Sequence, residues 1–386
     1  MRLKYSIQLS LMCFLVAVSC NKATSEASPS ADGTPILIGS NVRFVSVTKA
    51  GSAYGPLDEW DAHEVFVYGI EHGSAGLDVQ TGRYIDRISA LTPSKDEESE
   101  DKNLRGPINL YNPNAINQEP FYYEGNKKYE FFAYYVDDAL LGAPVYTDSS
   151  ISFPLTIDGT QDVMLATTNH EADLALAREG SDVEEADLYS AFAARRDVHP
   201  NLVFQHQLSR FVFRVKTGFD DTDPRAGTIR IVGLSVNAHT EADMTVVGQE
   251  QVIEGKGEKT EISLRRGSPG NLIVLDKDSA VNVTEKLDTL GEMMLYPGQK
   301  DYPVTLYLQQ EGYTAQDVFK VTLNILFNTS SESETGTEES VAEAGTKYIV
   351  TMVIWGLQNV QSTVTMTEWE GGRSFYLDPD DIENNI

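Results

Sequence analysis

The feature that most restricts the fold of this chain is a two-residue period in its apolar side chains. It is clearest in Phe319-Lys320-Val321-Thr322-Leu323-Asn324-Ile325-Leu326-Phe327. There Phe319, Val321, Leu323, Ile325 and Phe327 fall on one face, and Lys320, Thr322 and Asn324 on the other. Successive side chains of a strand point to opposite sides, so the pattern predicts a half-buried antiparallel strand. Further apolar runs at 36–38, 42–47, 65–70 and 129–136 are separated by Gly, Pro, Asn and Asp, and this texture continues nearly to the C-terminus. The expected fold class is all-β, with the apolar faces closed in β-sandwiches.

One stretch reads as helix: residues 171–196, with Leu174, Leu176, Leu188 and Phe192 among many Ala and Glu. Gly180-Ser181-Asp182 interrupts it, and Ser181 or Asp182 is expected to cap a second helix. A domain boundary is expected just beyond, at His199-Pro200-Asn201, giving an N-terminal domain of 35–200 and a C-terminal domain of 201–386. After it, Phe204, His206 and Leu208 take even positions, whereas Phe211, Phe213 and Val215 take odd ones. A phase flip of this kind within one strand predicts a β-bulge near Ser209-Arg210. The acidic segments 95–102 and 330–343 are expected to be solvated loops.

The first twenty residues have the three parts of a secretory signal. Arg2 and Lys4 supply a positive start, a mostly apolar run follows over 7–18, and Ala17-Val18-Ser19 precedes Cys20. The run is too short to span a bilayer as a mature helix. A cysteine directly after small residues resembles a bacterial lipobox, although Ala17 stands where leucine is usual. Residues 1–19 are therefore expected to be removed as a lipoprotein signal peptide and Cys20 to carry lipid. Residues 20–34, rich in Ser, Ala and Thr, are expected to be a flexible tether. Cys13 and Cys20 are the two cysteines of the chain, so the mature domains have no disulfide and no thiolate nucleophile.

With 58 acidic and 30 basic residues the chain carries a formal charge of −28, and loss of the leader removes two of the basic ones. Such a surface repels phosphate backbones and excludes nucleic acid as a partner. It repels anionic headgroups as well, which leaves the lipid on Cys20 as the expected tether to the outer membrane. The six histidines, His63, His72, His170, His199, His206 and His239, show no metal-binding spacing and no HExxH. GxSxG, GxxxxGK[ST] and a dinucleotide fingerprint are also missing. No enzyme, cofactor or metal site is expected, and His206, alternating with Phe204 and Leu208, reads as a core or interface histidine.

Several segments, taken in order, resemble the fimbrillins, subunits of the type V pili of Bacteroidales. They are the lipobox leader, residues 45–51, Asp162-Val163-Met164-Leu165-Ala166-Thr167, the strand from Phe204 to Phe211, Gly345-Thr346-Lys347-Tyr348-Ile349-Val350, Ile354-Trp355-Gly356-Leu357 and Thr367-Glu368-Trp369. The resemblance implies two tandem transthyretin-like, Greek-key β-sandwiches with a short helical insertion. It also implies export to the surface of a Gram-negative cell as a lipoprotein, and assembly with other pilin subunits. In that family a trypsin-like protease removes an N-terminal strand, and a strand from another subunit takes its place. Carried onto this sequence, the departing strand runs from residue 35 to about residue 49 and the candidate cleavage sites are Arg43 and Lys49. The candidate donor lies within 360–378 and includes Val364, Met366, Phe375 and Leu377.

A rival reading is a surface glycan-binding lipoprotein, also built of β-sandwiches. Its mark would be a flat platform of exposed aromatic rings, for which Tyr111, Tyr122, Tyr123, Tyr134 and Tyr135 are the candidates.

Overall fold

The computed structural model describes residues 33–42, 63–92, 107–326 and 341–368, apart from stretches of one to six residues within them. The first half contributes β1 (Gly39–Val42), β2 (Glu64–Gly73), β3 (Gly76–Leu77), β4 (Arg83–Leu91), β5 (Tyr129–Tyr135), β6 (Val145–Tyr146), β7 (Ile151–Thr156), β8 (Met164–Thr168) and β9 (Asn201–His206). The second half begins with β10 (Ser209–Thr217), β11 (Ile229–Ala238), β12 (Glu241–Val247), β13 (Val252–Lys256), β14 (Thr260–Ser263), β15 (Arg265–Ser268) and β16 (Asn271–Val274). It ends with β17 (Val281–Asn282), β18 (Asp288–Leu295), β19 (Asp301–Gln310), β20 (Phe319–Leu326), β21 (Thr346–Gly356) and β22 (Asn359–Glu368). The expected all-β class is the observed one.

The largest sheet runs β1-β9-β8-β5-β2-β3, with β4 also paired to β2. Its centre is covered on both faces. Phe131 and Ala133 of β5 join Val65, Val67 and Phe204 in one core, and Phe132 and Tyr134 join Tyr68, Ile70 and Leu165 in another. Burial on both sides explains why β5 is apolar without alternation. The second of these cores is closed by the sheet β13-β12-β7-β6, through Ile151, Phe153, Leu155, Ala242, Met244 and Val246.

In the second half, the sheet β18-β10-β21-β22 packs on β14-β11-β19-β20 around Phe211, Phe213, Val236, Tyr302, Leu306 and Tyr348. β19 and β20 are antiparallel in continuous register. On β20, Ile325 is buried and Val321 and Leu323 half-buried, while Lys320, Thr322 and Asn324 are exposed, as the two-residue period requires. Phe327 lies outside the described residues.

Three expectations meet a different arrangement. Residue 200 is not where the chain changes sheet: β9, just beyond it, pairs antiparallel with β8 and parallel with β1. The transfer comes at Gln207-Leu208, where Gln207 N donates to Val163 O at 2.8 Å and Leu208 O accepts from Gly345 N at 2.9 Å. The phase flip is this transfer. Phe204 and Phe211 belong to different sheets and face different cores, so no bulge at Ser209-Arg210 is needed. The long helix is replaced by two short ones, α1 (His170–Ala175) and α2 (Ala191–Ala194), with a 3-10 turn at Glu185–Asp187 between them. Asn169 and Ser190, rather than Ser181 or Asp182, cap the helices. Asp182 is instead ion-paired to Arg196. The two acidic segments expected to be loops lie almost wholly outside the described residues.

The halves are joined by more than the chain. β12 pairs with β7 along Glu241↔Thr156 to Val247↔Ile151, so a hairpin of the second half completes a sheet begun in the first. At the same junction Arg210, fully buried, donates from Nε to Glu292 Oε2 at 2.8 Å. Beside this junction His206 Nδ1 lies 2.6 Å from Asp162 Oδ2, both buried, so His206 is a buried histidine paired within the first half.

Candidate functional site

The N-terminal strand occupies a groove in the first core. Ile36 and Ile38 are buried, while Pro35 and Leu37, alternating with them, are half-buried, which is the alternation of an edge strand on a core. Along one side the backbone is held by Tyr123 N to Thr34 O at 3.1 Å, Ile36 N to Phe121 O at 2.7 Å and Ile108 N to Ile38 O at 2.8 Å. Along the other, Gly39 N donates to Pro200 O at 2.9 Å, and β1 then runs parallel to β9 from Gly39↔Asn201 to Val42↔Phe204. Burying two isoleucines contributes on the order of 3–6 kcal/mol before entropy is counted.

The wall beside β1 is fixed by a buried carboxylate. Asp173 of α1 accepts from Asn201 N at 3.1 Å, from Asn201 Nδ2 at 2.8 Å and from Tyr189 Oη at 2.8 Å. These bonds pin the start of β9 to the helical segment. Burial pushes the Asp173 carboxyl above the ordinary carboxylate range, against the donors that favour its charged form. Two residues before Asn201, burial pushes the imidazole of His199 down to about 4, opposed by the charge of Asp197. Its Nδ1 has no hydrogen-bond partner among the described residues.

At the other end of the chain β22 is an edge strand. It pairs with β21 from Thr346↔Glu368 to Gly356↔Asn359, and no strand covers its second edge among the described residues. Val364 is half-buried against the core of the second half, and Met366 pairs with Tyr348. Val364 and Met366 are thus brought onto one free-edged strand. Cys20, Arg43, Lys49, Phe375 and Leu377 lie outside the described residues.

The tyrosine platform does not form. Tyr123 and Tyr134 are fully buried and Tyr122 and Tyr135 half-buried, which leaves Tyr111 alone exposed among the five. Among the described residues no group of three His, Cys, Asp or Glu is placed to hold a metal ion, and no helix is long and apolar enough to cross a membrane. Sequence reasoning missed the clamp of Asp173, Tyr189 and Asn201. Its members are 16 and 28 residues apart, with no local pattern to link them.

Fold and site together define a multi-sheet β-protein whose distinctive features, among the described residues, are a seated first strand and a free-edged last one. A family model described as fimbrillin-like matches residues 85–369, and the chain belongs to that family. It is a family of structural adhesion subunits, not of enzymes. No curated protein matches the chain. Among solved structures, a candidate cell adhesion protein from Bacteroides uniformis is 15% identical, with 88% of this chain and 99% of that one covered and a TM-score of 0.46. A second, from Bacteroides ovatus, is 13% identical over 88% and 99%, with a TM-score of 0.48. The tip fimbrial protein Mfa3 from Porphyromonas gingivalis, with C-terminal truncation, is 7% identical over 86% and 99%, with a TM-score of 0.38.

Proposed function

We propose that the chain is a structural subunit of a cell-surface pilus, with the segment from residue 35 to about residue 49 as its removable strand and its C-terminal strands as the donor to the next subunit. The observation that carries this reading is the seating of Ile36 and Ile38 in a core to which their segment is joined by short backbone ladders. Arg43 and Lys49 both follow the buried run Ile36-Leu37-Ile38. While the chain is intact the strand is intramolecular and outcompetes any donor, because its effective concentration is high. After a trypsin-like cut it is held by non-covalent contacts alone. Its departure exposes unpaired backbone and an open core, which a donor can complete. A donor inserting about five apolar side chains gains on the order of 10 kcal/mol before association costs.

The free edge of β22 supports the other half of the reading, with Val364 and Met366, then Phe375 and Leu377, as the inserting residues. Other pilin subunits are the partners, and adhesion is the result of assembly. A lipid on Cys20 holds the exported precursor at the outer membrane until it is cut. Two tandem sandwiches, handing over at Gln207-Leu208, organise the subunit in this proposal.

Trypsin treatment of purified protein should yield slowly dissociating or SDS-resistant oligomers, with new N-termini at Phe44 or Ala50. The Arg43→Ala/Lys49→Ala variant should remain monomeric under the same treatment. Cut protein that stays monomeric at high concentration, together with pili formed by the double variant, would rule this route out.

A further inference from the structure

Trp355 differs in its setting from a surface residue left over by packing. β21 turns Ile354 into the core and Trp355 outward, where 41% of the residue is exposed. On the neighbouring β10, Thr217 pairs with Ile354, and the next residue, Gly218, donates its N–H to Ile354 O at 2.9 Å. A Cβ at Gly218 would collide with Cδ2, Cε2 and Cε3 of Trp355. The indole therefore lies flat on the glycine backbone. Phe219, buried, meets it edge to face at 84°, with ring centres 6.0 Å apart. Behind Phe219, Arg225 lies 4.2 Å from the ring centre and is fixed by Asp223, Nε to Oδ1 at 2.9 Å and Nη2 to Oδ2 at 2.6 Å. One face of the indole is thus packed and oriented, and the other is presented to solvent.

The surroundings are polar. Cross-strand rows on the same outer face place Lys216, Val353 and Gln361 together, and then Arg214, Thr351 and Thr363. Lys216, Gln361 and Thr363 are exposed. A protein partner of ordinary kind needs a broad, largely desolvated contact, which one indole in a polar face does not offer. A stacked nucleobase would bring phosphates to a chain of charge −28. A pyranose fits both features: its C–H face is apolar and its rim carries hydroxyls. We infer that Trp355 is the stacking platform of a carbohydrate-binding site on the outer face of the sheet β18-β10-β21-β22. Lys216 and Gln361 donate to sugar hydroxyls beside it. Preorientation by Gly218 and Phe219 lowers the ordering cost of binding. The platform of Trp355, Gly218 and Phe219 stays with its own subunit in monomer and polymer alike, whereas Gln361, on β22, joins it only while that strand remains paired with β21.

The test is affinity electrophoresis of the full chain through gels containing galactomannan, arabinoxylan, gastric mucin or chondroitin sulfate. At least one should retard the wild type. Trp355→Ala should weaken that retardation on the order of tenfold, the scale of one lost stacking contact, while Trp355→Phe recovers part of it. Trp355→Leu, which keeps an apolar cover over Gly218 without an aromatic face, separates stacking from stability and should lose retardation at an unchanged melting temperature. Absence of retardation in all four gels, or equal retardation of wild type and Trp355→Leu, overturns the site. A change of self-association in Trp355→Leu with retardation intact assigns the face to a protein contact and also overturns it.

Discussion

At the scale of single residues, two buried titratable groups, Asp173 and His199, stand beside the N-terminal strand. His199 stands next to Pro200, whose carbonyl accepts from Gly39, and burial depresses its pKa to about 4. The sign follows from linkage: a base with a depressed folded pKa is held neutral in the fold, so its contribution is complete above its ordinary pKa near 6.5. It is lost as the pH falls toward 4, at a cost of up to about 3 kcal/mol. His199→Phe should therefore flatten the fall of stability between pH 6.5 and 4, measured by urea unfolding at each pH. An unchanged slope would show that His199 does not titrate as its burial requires. Asp173, whose folded pKa is raised, works in the opposite sense, favouring the fold at low pH and losing that contribution as the pH rises. Comparison of the variant with wild type isolates the histidine. The sequence placed His206 correctly among core or interface residues, because it alternates with Phe204 and Leu208. Its partner Asp162, 44 residues away, had no signal to announce it.

At the scale of elements, period two was readable where a strand is covered on one face, as at β20, whereas Ile36-Leu37-Ile38 is apolar throughout and alternates only in its burial. It failed in two situations. Strands covered on both faces, such as β5, lose the alternation, and a change of sheet imitates a bulge, as between β9 and β10. The helical segment was over-read because Ala and Glu favour a helix locally, whereas Asn169, Ser190 and the tertiary bonds of Asp173 break it into short turns. β1 provides the sharpest prediction here. Ile36 and Ile38 are 2% and 1% exposed, so Ile38→Ala should cost about 2–4 kcal/mol, and the double alanine variant more. Denaturant unfolding would measure this. A cost below about 1 kcal/mol would mean that the groove closes without its strand. The parallel pairing of β1 with β9 was not legible, since alternation states which face is buried and not the direction of the neighbour.

At the scale of the whole molecule, the decisive contact is the pairing of β12 with β7. The four-stranded sheet made from both halves closes the core that holds Tyr68, Phe153 and Met244. Neither half can bury that core alone. Residues 20–206 and 207–386 produced separately should therefore fail to reach native circular dichroism, and the full chain should unfold in one calorimetric transition. Two independently folded halves, each with its own transition, would show that the shared sheet contributes little.

The sequence by itself determined the all-β class, the family, the lack of an enzymatic motif and the strand that opens the described chain. Each of these rests on local information: side-chain period, short motifs and their order. Tertiary structure decided where the chain passes between sheets, which half supplies β12 and β13, and which aromatic side chains are exposed. Those depend on contacts between residues far apart in the chain. Trp355 shows the difference plainly. Its place in the segment Ile354-Trp355-Gly356-Leu357 that carries the family resemblance was readable, but its exposure as a flat ring was settled by Gly218, a residue 137 positions away with no side chain to interfere.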